Sequence, residues 1–466
     1  MVICRFILLT VALGLLPAFG TERPAPPQTF MKSFPGTSAL STFTDCVNYL
    51  EGWLGPDLPD WVVHSSVFTY WARKPLFDAS GQAVLALDGR QATTQVRQSG
   101  RIFYPPTWRL PFQRALTLVV YPHFTALRKQ SAPSEFGGHE WLLGAAAAVY
   151  YGFAVAMPDL PGMGVDAEHY HPFCHARSLA YATLDGIPAM QAQFRQDPWL
   201  VAGGYAWDGR LFVMGYSEGA YTALATVKEL ETHRDAYAAQ GNFTLTGSAC
   251  MAGPFDLSGL SRAEVIRPGG RFSFSFFLPY LLMGYHSLYG PRLDPREAFA
   301  PVLLERREDG NILDWLDGSL DGFTVSDLIQ KRLGLAAPPL TRDLLNPDWV
   351  ARNLDDPGYG TSPVRQVLQE NDLDRGWTPT RPILFCHSPA DTDVAYQQTV
   401  STMDYLGAEI LKAGGDPQKL LILKPIGDSL NGLGHLGAIA LAMPVAFDWI
   451  YHFADPDPGL LAPGTR

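Results

Sequence analysis

The chain has 466 residues, of which 47% are hydrophobic and 17% are charged, so it carries enough apolar side chain to bury a large core. Its formal charge of −11 makes it acidic. Because like charges repel, neither nucleic acid nor an anionic membrane surface is expected as a partner. The 44 glycines and 38 prolines are spread along the chain, which is typical of a loop-rich globular protein rather than a disordered one.

The first twenty residues have the features of a secretory signal peptide. Arg5 precedes an apolar run from 6 to 16, and Ala18 and Gly20 supply small side chains before a cleavage point at Thr21. The run is shorter than the ~20 residues that span a bilayer, although an uncleaved N-terminal anchor is the alternative. The protein is therefore expected to be secreted or periplasmic, and its oligomeric state is left open.

Four cysteines remain after the predicted signal peptide, namely Cys46, Cys174, Cys250 and Cys386. In an oxidising compartment they could form disulfide bridges, and buried free thiols are the equally weighted alternative. None of them belongs to a C-x-x-C pair, which argues against a zinc or redox site.

Composition and the spacing of apolar residues divide the chain into five segments. Residues 1–20 are the signal peptide, and residues 21–64 are proline-rich and then aromatic, as in a leader that wraps a domain. Segments 65–254 and 379–466 carry strand and helix patterns that belong to one core. Between them, residues 255–378 have helical patterns and many prolines but no strand rhythm, which predicts a helical insertion over the core.

Short apolar segments alternate with helical patterns from residue 115 onward, which is the rhythm of βαβ units and a parallel sheet. Continuous apolar strands fit a sheet that is covered on both faces. An earlier β-rich region, 65–104, has a turn at 78–82. The predicted fold class is α/β, with a mostly parallel, doubly wound sheet and a helical cap inserted between late strands. The predicted strands are 115–121, 153–157, 210–214, 245–251, 382–386 and 420–423, and the predicted helices are 138–151, 175–194, 218–237, 399–413 and 436–453.

The segment Gly215-Tyr-Ser-Glu-Gly219 has the G-x-S-x-G pattern of a nucleophile elbow. The pattern is weak alone, but here it follows a predicted strand and opens a predicted helix, which is the context that the motif needs. The glycines allow a tight turn that exposes the hydroxyl of Ser217. The backbone N–H of Glu218, at the helix N-terminus, is predicted to donate to an oxyanion. An ordinary glycine-rich turn is the alternative.

A serine hydroxyl needs a base to become a nucleophile, and the base needs an orienting carboxylate. His435 ends a glycine-rich loop and begins an apolar helix, so it is the predicted general base. Asp391 follows the predicted strand 382–386 and is the predicted orienting acid. Asp393 is the alternative candidate for this role. Asp391 is preferred because Val394 is expected to face the core, which would leave Asp393 in solvent.

The loop that leaves the strand 115–121 is expected to supply a second oxyanion donor. Its sequence is Tyr121-Pro-His-Phe-Thr125, and the donor would be the backbone N–H of His123 or of a neighbour. A plain strand exit without a catalytic role is the alternative.

A histidine-rich segment lies between the second predicted strand and the following helix. It contains His169, His171 and His175, with Cys174 beside them, and these side chains are of metal-ligand type. Pro172 makes the segment a turn rather than a helical face, and no acidic ligand is evident. No metal and no cofactor are therefore predicted.

Together these motifs resemble the secretory lipase family of α/β-hydrolases, the group with the Candida-type lipase A enzymes and their bacterial relatives. The resemblance extends over about residues 115–454. It implies an α/β-hydrolase fold, esterase or lipase activity, no cofactor, and a helical cap that matches 255–378. The chain departs from the family at the oxyanion loop, where His123-Phe-Thr replaces the family's His-Gly-Thr, and at Glu218, whose side chain is expected to point away from the pocket. The similar segments are Tyr121–Thr125, Met157–Gly164, Thr183–Ile187, Gly215–Gly219, Cys386–Val394 and Gly434-His435.

The leading hypothesis is hydrolysis of a small-molecule or lipid ester, with a transient lipid interface as one route to the substrate. A peptidase or amidase on the same triad is the second hypothesis, and a secreted binding protein on an inactive hydrolase fold is the third. The acyl chain length stays open. The aromatic stretch 272–280 is compatible with an acyl pocket, a lipid-facing lid or ordinary cap core.

Overall fold

The computed structural model describes residues 64–105, 115–240, 244–427 and 433–454. The predicted signal peptide, nearly all of the predicted leader and Cys46 lie outside these ranges. Within them, an eight-stranded sheet has the order β1-β2-β4-β3-β5-β6-β7-β8. The strands are β1 (His64–Pro75), β2 (Thr93–Tyr104), β3 (Ala115–Val120), β4 (Ala154–Pro158), β5 (Ala206–Tyr216), β6 (Thr244–Met251), β7 (Ile383–His387) and β8 (Leu421–Pro425).

The sheet is mostly parallel, which confirms the predicted fold class. Strands β3 to β8 pair in parallel, whereas β2 pairs antiparallel with both β1 and β4. The six strands predicted from residue 115 onward are all present. Strand β5 begins earlier than predicted, at Ala206, because its first half is polar and partly exposed and so lacks the apolar signature of a central strand.

Helices cover both faces of the sheet, which explains why its central strands are apolar without interruption. Along β3, Leu118 and Val120 pack in one core, while Val119 packs in the other. The helices are α1 (Trp141–Tyr151), α2 (Ala176–Gln196), α3 (Pro198–Gly203), α4 (Glu218–Thr232), α5 (Arg234–Gln240), α6 (Arg262–Ile266), α7 (Phe277–Tyr289), α8 (Pro295–Ala298), α9 (Pro301–Leu304), α10 (Ile312–Trp315), α11 (Gly322–Arg332), α12 (Pro347–Asn353), α13 (Pro363–Gln369), α14 (Gln397–Lys412), α15 (Pro417–Leu420) and α16 (His435–Ala454).

Helices α2 and α4 belong to the first core, and helices α1 and α16 belong to the second. In the described part of the chain, α16 is the one helix that is long and apolar enough to cross a membrane. However, 61% of its apolar window is buried in the protein, and Ala442, Ala446 and Ile450 are fully buried. Helix α16 is accordingly a core helix of the fold.

Between β6 and β7 the chain leaves the sheet, from residue 252 to residue 382. The described structure here consists of α6 to α13, a π-helical turn at Leu257–Ser261, short 3₁₀ turns and isolated bridges, without a strand of the central sheet. We call this segment the cap. The predicted insertion, 255–378, lies inside it.

The strand order reverses at β3, since β4 lies on one side of β3 and β5 on the other. In open parallel sheets, ligands bind in the crevice beyond the carboxyl ends of the strands at such a point. The loop with His123 follows β3, and Ser217 follows β5, so both border this crevice. Asp391 follows β7 and reaches the same edge of the sheet.

The three described cysteines, Cys174, Cys250 and Cys386, are buried free thiols. Burial raises the pKa of each thiol, so each stays protonated at neutral pH. Of the two alternatives left open by the sequence, the free-thiol state is the one found for these three residues.

Candidate active site

Ser217 forms the turn between β5 and α4 in a backbone conformation that L-residues rarely adopt, with φ 55° and ψ −119°. Two hydrogen bonds hold this strained turn. The Ser217 N–H donates to the carbonyl of Met251 over 2.8 Å, and the Ser217 carbonyl accepts from the N–H of Tyr221 over 3.0 Å. Such strain persists only where the surroundings impose it, and it is concentrated at functional sites.

The two glycines of the motif are required by close backbone contacts. A Cβ on Gly215 would lie 2.3 Å from the backbone of Gly219, and a Cβ on Gly219 would lie 2.3 Å from the carbonyl oxygen of Pro122. Both neighbours are backbone atoms, which cannot rotate away as the end of a flexible side chain can. A side chain at either position would therefore force the backbone of the elbow to shift.

Gly215→Ala is expected to destabilise the protein by about 1–3 kcal/mol, because its methyl group overpacks the elbow. Urea unfolding monitored by circular dichroism measures the change. Gly360→Ala is the matched control, since nothing lies within 4 Å of a Cβ at that position and its φ is not positive. Equal free energies of unfolding for the two variants would contradict the steric role of Gly215.

The structure brings the three predicted triad residues together. The Nε2 atom of His435 lies 2.8 Å from the Oγ of Ser217, and its Nδ1 lies 2.6 Å from the Oδ2 of Asp391. The other Asp391 oxygen, Oδ1, accepts hydrogen bonds from the N–H groups of Asp393 and Val394, each over 2.9 Å. With Nδ1–H donating to Asp391, Nε2 is free to accept the serine proton.

Electrostatics hold Asp391 ionised. Burial would raise its pKa, but the neighbouring His435 and His387 outweigh burial and hold the pKa of this carboxyl well below its usual range. His387 was not predicted from the sequence. Its Nε2 lies 3.3 Å from Asp391 Oδ2 and 2.9 Å from the Val394 carbonyl.

The pKa of His435 is raised above its ordinary value of 6.5. Burial alone would lower it, but the charge and hydrogen bond of Asp391, together with the charge of Asp393, favour the imidazolium. A base with a raised proton affinity is well matched to accepting a proton near neutral pH.

Asp393 is not in solvent, so that expectation was wrong. It is 7% exposed, and its Oδ1 accepts a hydrogen bond of 2.5 Å from the backbone N–H of Ser273 in the cap. Its Oδ2 has no hydrogen-bond partner among the described residues. Burial raises the pKa of Asp393. The local sequence could not show this, because Ser273, which covers Asp393, lies 120 residues away in the chain.

Of the two predicted oxyanion donors, Glu218 directly follows Ser217, and the carbonyl group of His123 packs against Gly219 of the same elbow. Glu218 begins α4, so its N–H has no partner within the helix. The ring of His123 is buried and contacts the carbonyl oxygens of Phe124 and Asp159, at 2.7 and 2.8 Å. The N–H of Phe124 donates to Glu140, which leaves the N–H groups of His123 and of Thr125 as candidates for the second donor.

The Glu218 side chain is buried, with its Oε1 2.5 Å from the Nε2 of His171. The other two histidines of this segment have different partners, since His169 contacts Asp166, and His175 contacts Ser178 and Tyr289. Across the described ranges, no three His, Cys, Asp or Glu side chains are grouped so that they could hold a metal ion.

Two apolar cavities meet at Ser217 and His435. One has a volume of 270 Å³ and the other 140 Å³. Phe274 and Phe276 line the larger cavity, and Phe272 lines the smaller one. Phe277 borders both. The aromatic stretch of the cap therefore forms cavity walls, while Tyr280 at its end is buried in the core.

Comparisons with solved structures identify the fold. A candidate hydrolase from Legionella pneumophila is 17% identical, with a TM-score of 0.64 over 89% of this chain and 96% of that one. The rice cell wall degrading esterase LipA from Xanthomonas oryzae is 21% identical, with a TM-score of 0.59 over 88% and 94%. Candida antarctica lipase A in its closed state is 15% identical, with a TM-score of 0.54 over 94% and 87%.

No protein-family profile matches the sequence, and no curated protein matches it either. The similarity at these low identities is one of fold. The protein has the α/β-hydrolase fold, as the motifs indicated. The structures that share it include lipase A of Candida and a bacterial esterase, the kinds of protein that the sequence motifs resemble.

Proposed function

We propose that this protein is a serine hydrolase that cleaves carboxylic esters. The observation that carries the proposal is the continuous hydrogen-bond chain from Ser217 through His435 to Asp391, placed where two apolar cavities meet. Proteins with the same fold include an esterase and a lipase, which supports the choice of ester bonds.

In the proposed reaction, Ser217 Oγ attacks the ester carbonyl as its proton passes to His435 Nε2. The bond between the carbonyl carbon and the alkoxy oxygen of the substrate then breaks. His435 donates the same proton to this oxygen, and the alcohol leaves. Water next attacks the acyl-enzyme and gives a proton to His435, which returns it to Ser217 Oγ as the carboxylic acid departs. The carboxylate of Asp391 fixes the imidazole tautomer and stabilises the imidazolium.

The backbone N–H of Glu218 is proposed to bind the oxyanion of both tetrahedral intermediates. His123 or Thr125 would supply the second donor. Such donors are fixed in place before the reaction, so they stabilise charge as it develops without reorganisation. Removing one donor of this kind costs about 10²–10³-fold in rate in other hydrolases.

The two cavities favour esters that carry apolar groups on both sides of the carbonyl. Their walls are predominantly aromatic and aliphatic side chains, and the carbonyl would lie between them, next to Ser217. The cap supplies much of both walls, so it is proposed to select the substrate.

The proposal is tested with p-nitrophenyl esters of increasing acyl length and with a fluorophosphonate probe. We expect hydrolysis of the esters, and a covalent adduct on the peptide containing Ser217 by mass spectrometry. The rates of cleavage of proline-containing peptide amides are measured for comparison. Faster amide than ester cleavage would favour a peptidase, and well-folded protein that neither labels nor turns over would favour a binding protein.

Secretion remains a proposal that the N-terminal sequence pattern supports. Export in a host that secretes the protein, followed by N-terminal sequencing, is expected to give a mature chain that begins at Thr21.

A further inference from the structure

A buried pair of one histidine and one glutamate lies next to the candidate nucleophile. His171 Nε2 is 2.5 Å from Glu218 Oε1, and the two side chains are 2% and 0% exposed. Glu218 is the residue after Ser217, and His171 belongs to the loop between β4 and α2. The second Glu218 oxygen, Oε2, is buried without a hydrogen-bond partner in the described structure.

The hydrogen bonds of His171 determine how many protons the pair holds. Its Nδ1 lies 2.6 Å from the carbonyl oxygen of Pro161, which can only accept, so Nδ1 carries a proton. The short contact between Nε2 and Glu218 Oε1 then needs one further proton between them. Whether this proton is on the imidazole or on the carboxyl, the pair is neutral as a whole.

Other titratable groups around the pair do not replace His171 as its counter-charge. Glu140, the residue before α1, is buried, and burial raises the pKa of its carboxyl well above the ordinary value, which favours its neutral form. Cys174 and Tyr280 are buried, and burial raises their pKa values as well. Asp166, in the same loop as His171, is acidic and adds no positive charge.

The position of Glu218 makes its charge matter. The N–H of this residue is the proposed oxyanion donor, while its side chain ends in an anionic group when ionised. An uncompensated carboxylate in this buried place would repel the negative charge that develops on the substrate oxygen. Neutralisation by His171 removes this repulsion while the N–H stays in place.

We propose that His171 is a positioning residue that keeps Glu218 in a net-neutral pair, so that the backbone N–H of Glu218 can stabilise the oxyanion. This inference rests on the proposed ester hydrolysis. It assigns a role to two residues outside the triad, and it explains why a glutamate is tolerated beside the nucleophile.

Burial would lower the pKa of His171, but the charge and hydrogen bond of Glu218 raise it above 6.5 overall. This direction is the one expected for an imidazole that shares a proton with a carboxylate.

His171→Gln tests the proposal, because the glutamine amide can still donate to Glu218 but carries no charge. Without the counter-charge of His171, the Glu218 carboxylate would oppose the developing oxyanion, so kcat/KM at the pH optimum of the wild type is expected to fall at least about tenfold. The double variant with Glu218→Gln has no carboxylate and should regain most of the lost activity.

His169→Gln is the matched control, since His169 lies in the same loop but is hydrogen-bonded to Asp166 and half exposed. It should keep the wild-type kcat/KM. A purely structural role for His171 would lower activity in a way that the second substitution could not rescue. An unchanged kcat/KM in His171→Gln, or no recovery in the double variant, would overturn the proposal.

NMR of the labelled His171 imidazole tests the pair without any substrate. We expect Glu218→Gln to lower the pH at which His171 titrates, and an unchanged titration would disprove proton sharing. This measurement keeps the two proposals separate. If the protein does not hydrolyse esters but the His171 titration shifts, the proposed function alone is refuted. If the protein hydrolyses esters but the His171 titration does not shift, the proposed role of His171 is refuted.

Discussion

Ser217→Ala is expected to lower kcat for ester hydrolysis by about 10⁴–10⁶-fold while the protein remains folded. The substitution removes only Oγ, whose hydrogen bond within the fold is to His435. Alanine can occupy the same strained backbone position as serine, so the elbow should keep its shape. The oxyanion donors and cavities remain, and they account for the residual rate that such variants retain.

Rates with p-nitrophenyl esters, labelling by a fluorophosphonate and far-ultraviolet circular dichroism are measured together. Ser401→Ala is the control, because Ser401 lies on α14 and contacts Gln397 rather than His435. It should react and label as the wild type does. A folded Ser217→Ala protein with the wild-type rate would exclude Ser217 as the nucleophile.

Asp391→Asn is expected to lower kcat by about 10³–10⁴-fold, because it reverses the imidazole tautomer. One oxygen of Asp391 accepts two backbone N–H groups, from Asp393 and Val394. An asparagine must place its oxygen there, which turns its NH₂ toward His435 Nδ1. Nδ1 then becomes the acceptor, and the proton moves to Nε2, where it blocks transfer from Ser217.

Asp393→Asn is the matched comparison, since its oxygen can still accept from Ser273 and its other atom has no partner to lose. We expect most of the activity to remain. The charge of Asp393 raises the pKa of His435, so its removal lowers that pKa. The rising limb of the pH profile should therefore shift to lower pH. A larger loss in Asp393→Asn than in Asp391→Asn would make Asp393 the orienting acid.

Much of the fold was predictable because its signals are local. Each parallel strand is a short apolar run next to a helical pattern, and Ser217 sits in a motif whose strand and helix are both visible in the sequence. His435 and Asp391 could be proposed because the order of triad residues along the chain is fixed in this fold. The distances between the three side chains could not be predicted from the sequence, since three separate loops bring them into contact.

The remaining features of the site depend on packing between distant segments. The burial of Asp393 depends on Ser273, and the pairing of Glu218 depends on His171, a residue that the sequence presented only as a metal-ligand type. His387 follows the predicted strand 382–386 and was given no role from the sequence, yet its side chain contacts Asp391. No periodicity or short motif encodes such contacts.

The cap begins and ends on neighbouring strands, because Met251 at the end of β6 pairs with Cys386 in β7. It is thus an insertion whose two ends are held next to each other by the pairing of β6 with β7. Its length and sequence can vary, provided that the side chains that it adds to the core of the sheet, such as Phe255 and Tyr285, are replaced by others of similar volume. Evolution or a designer could exchange it to obtain new substrate preferences on unchanged chemistry, provided that a donor for Asp393 is kept where Ser273 now stands.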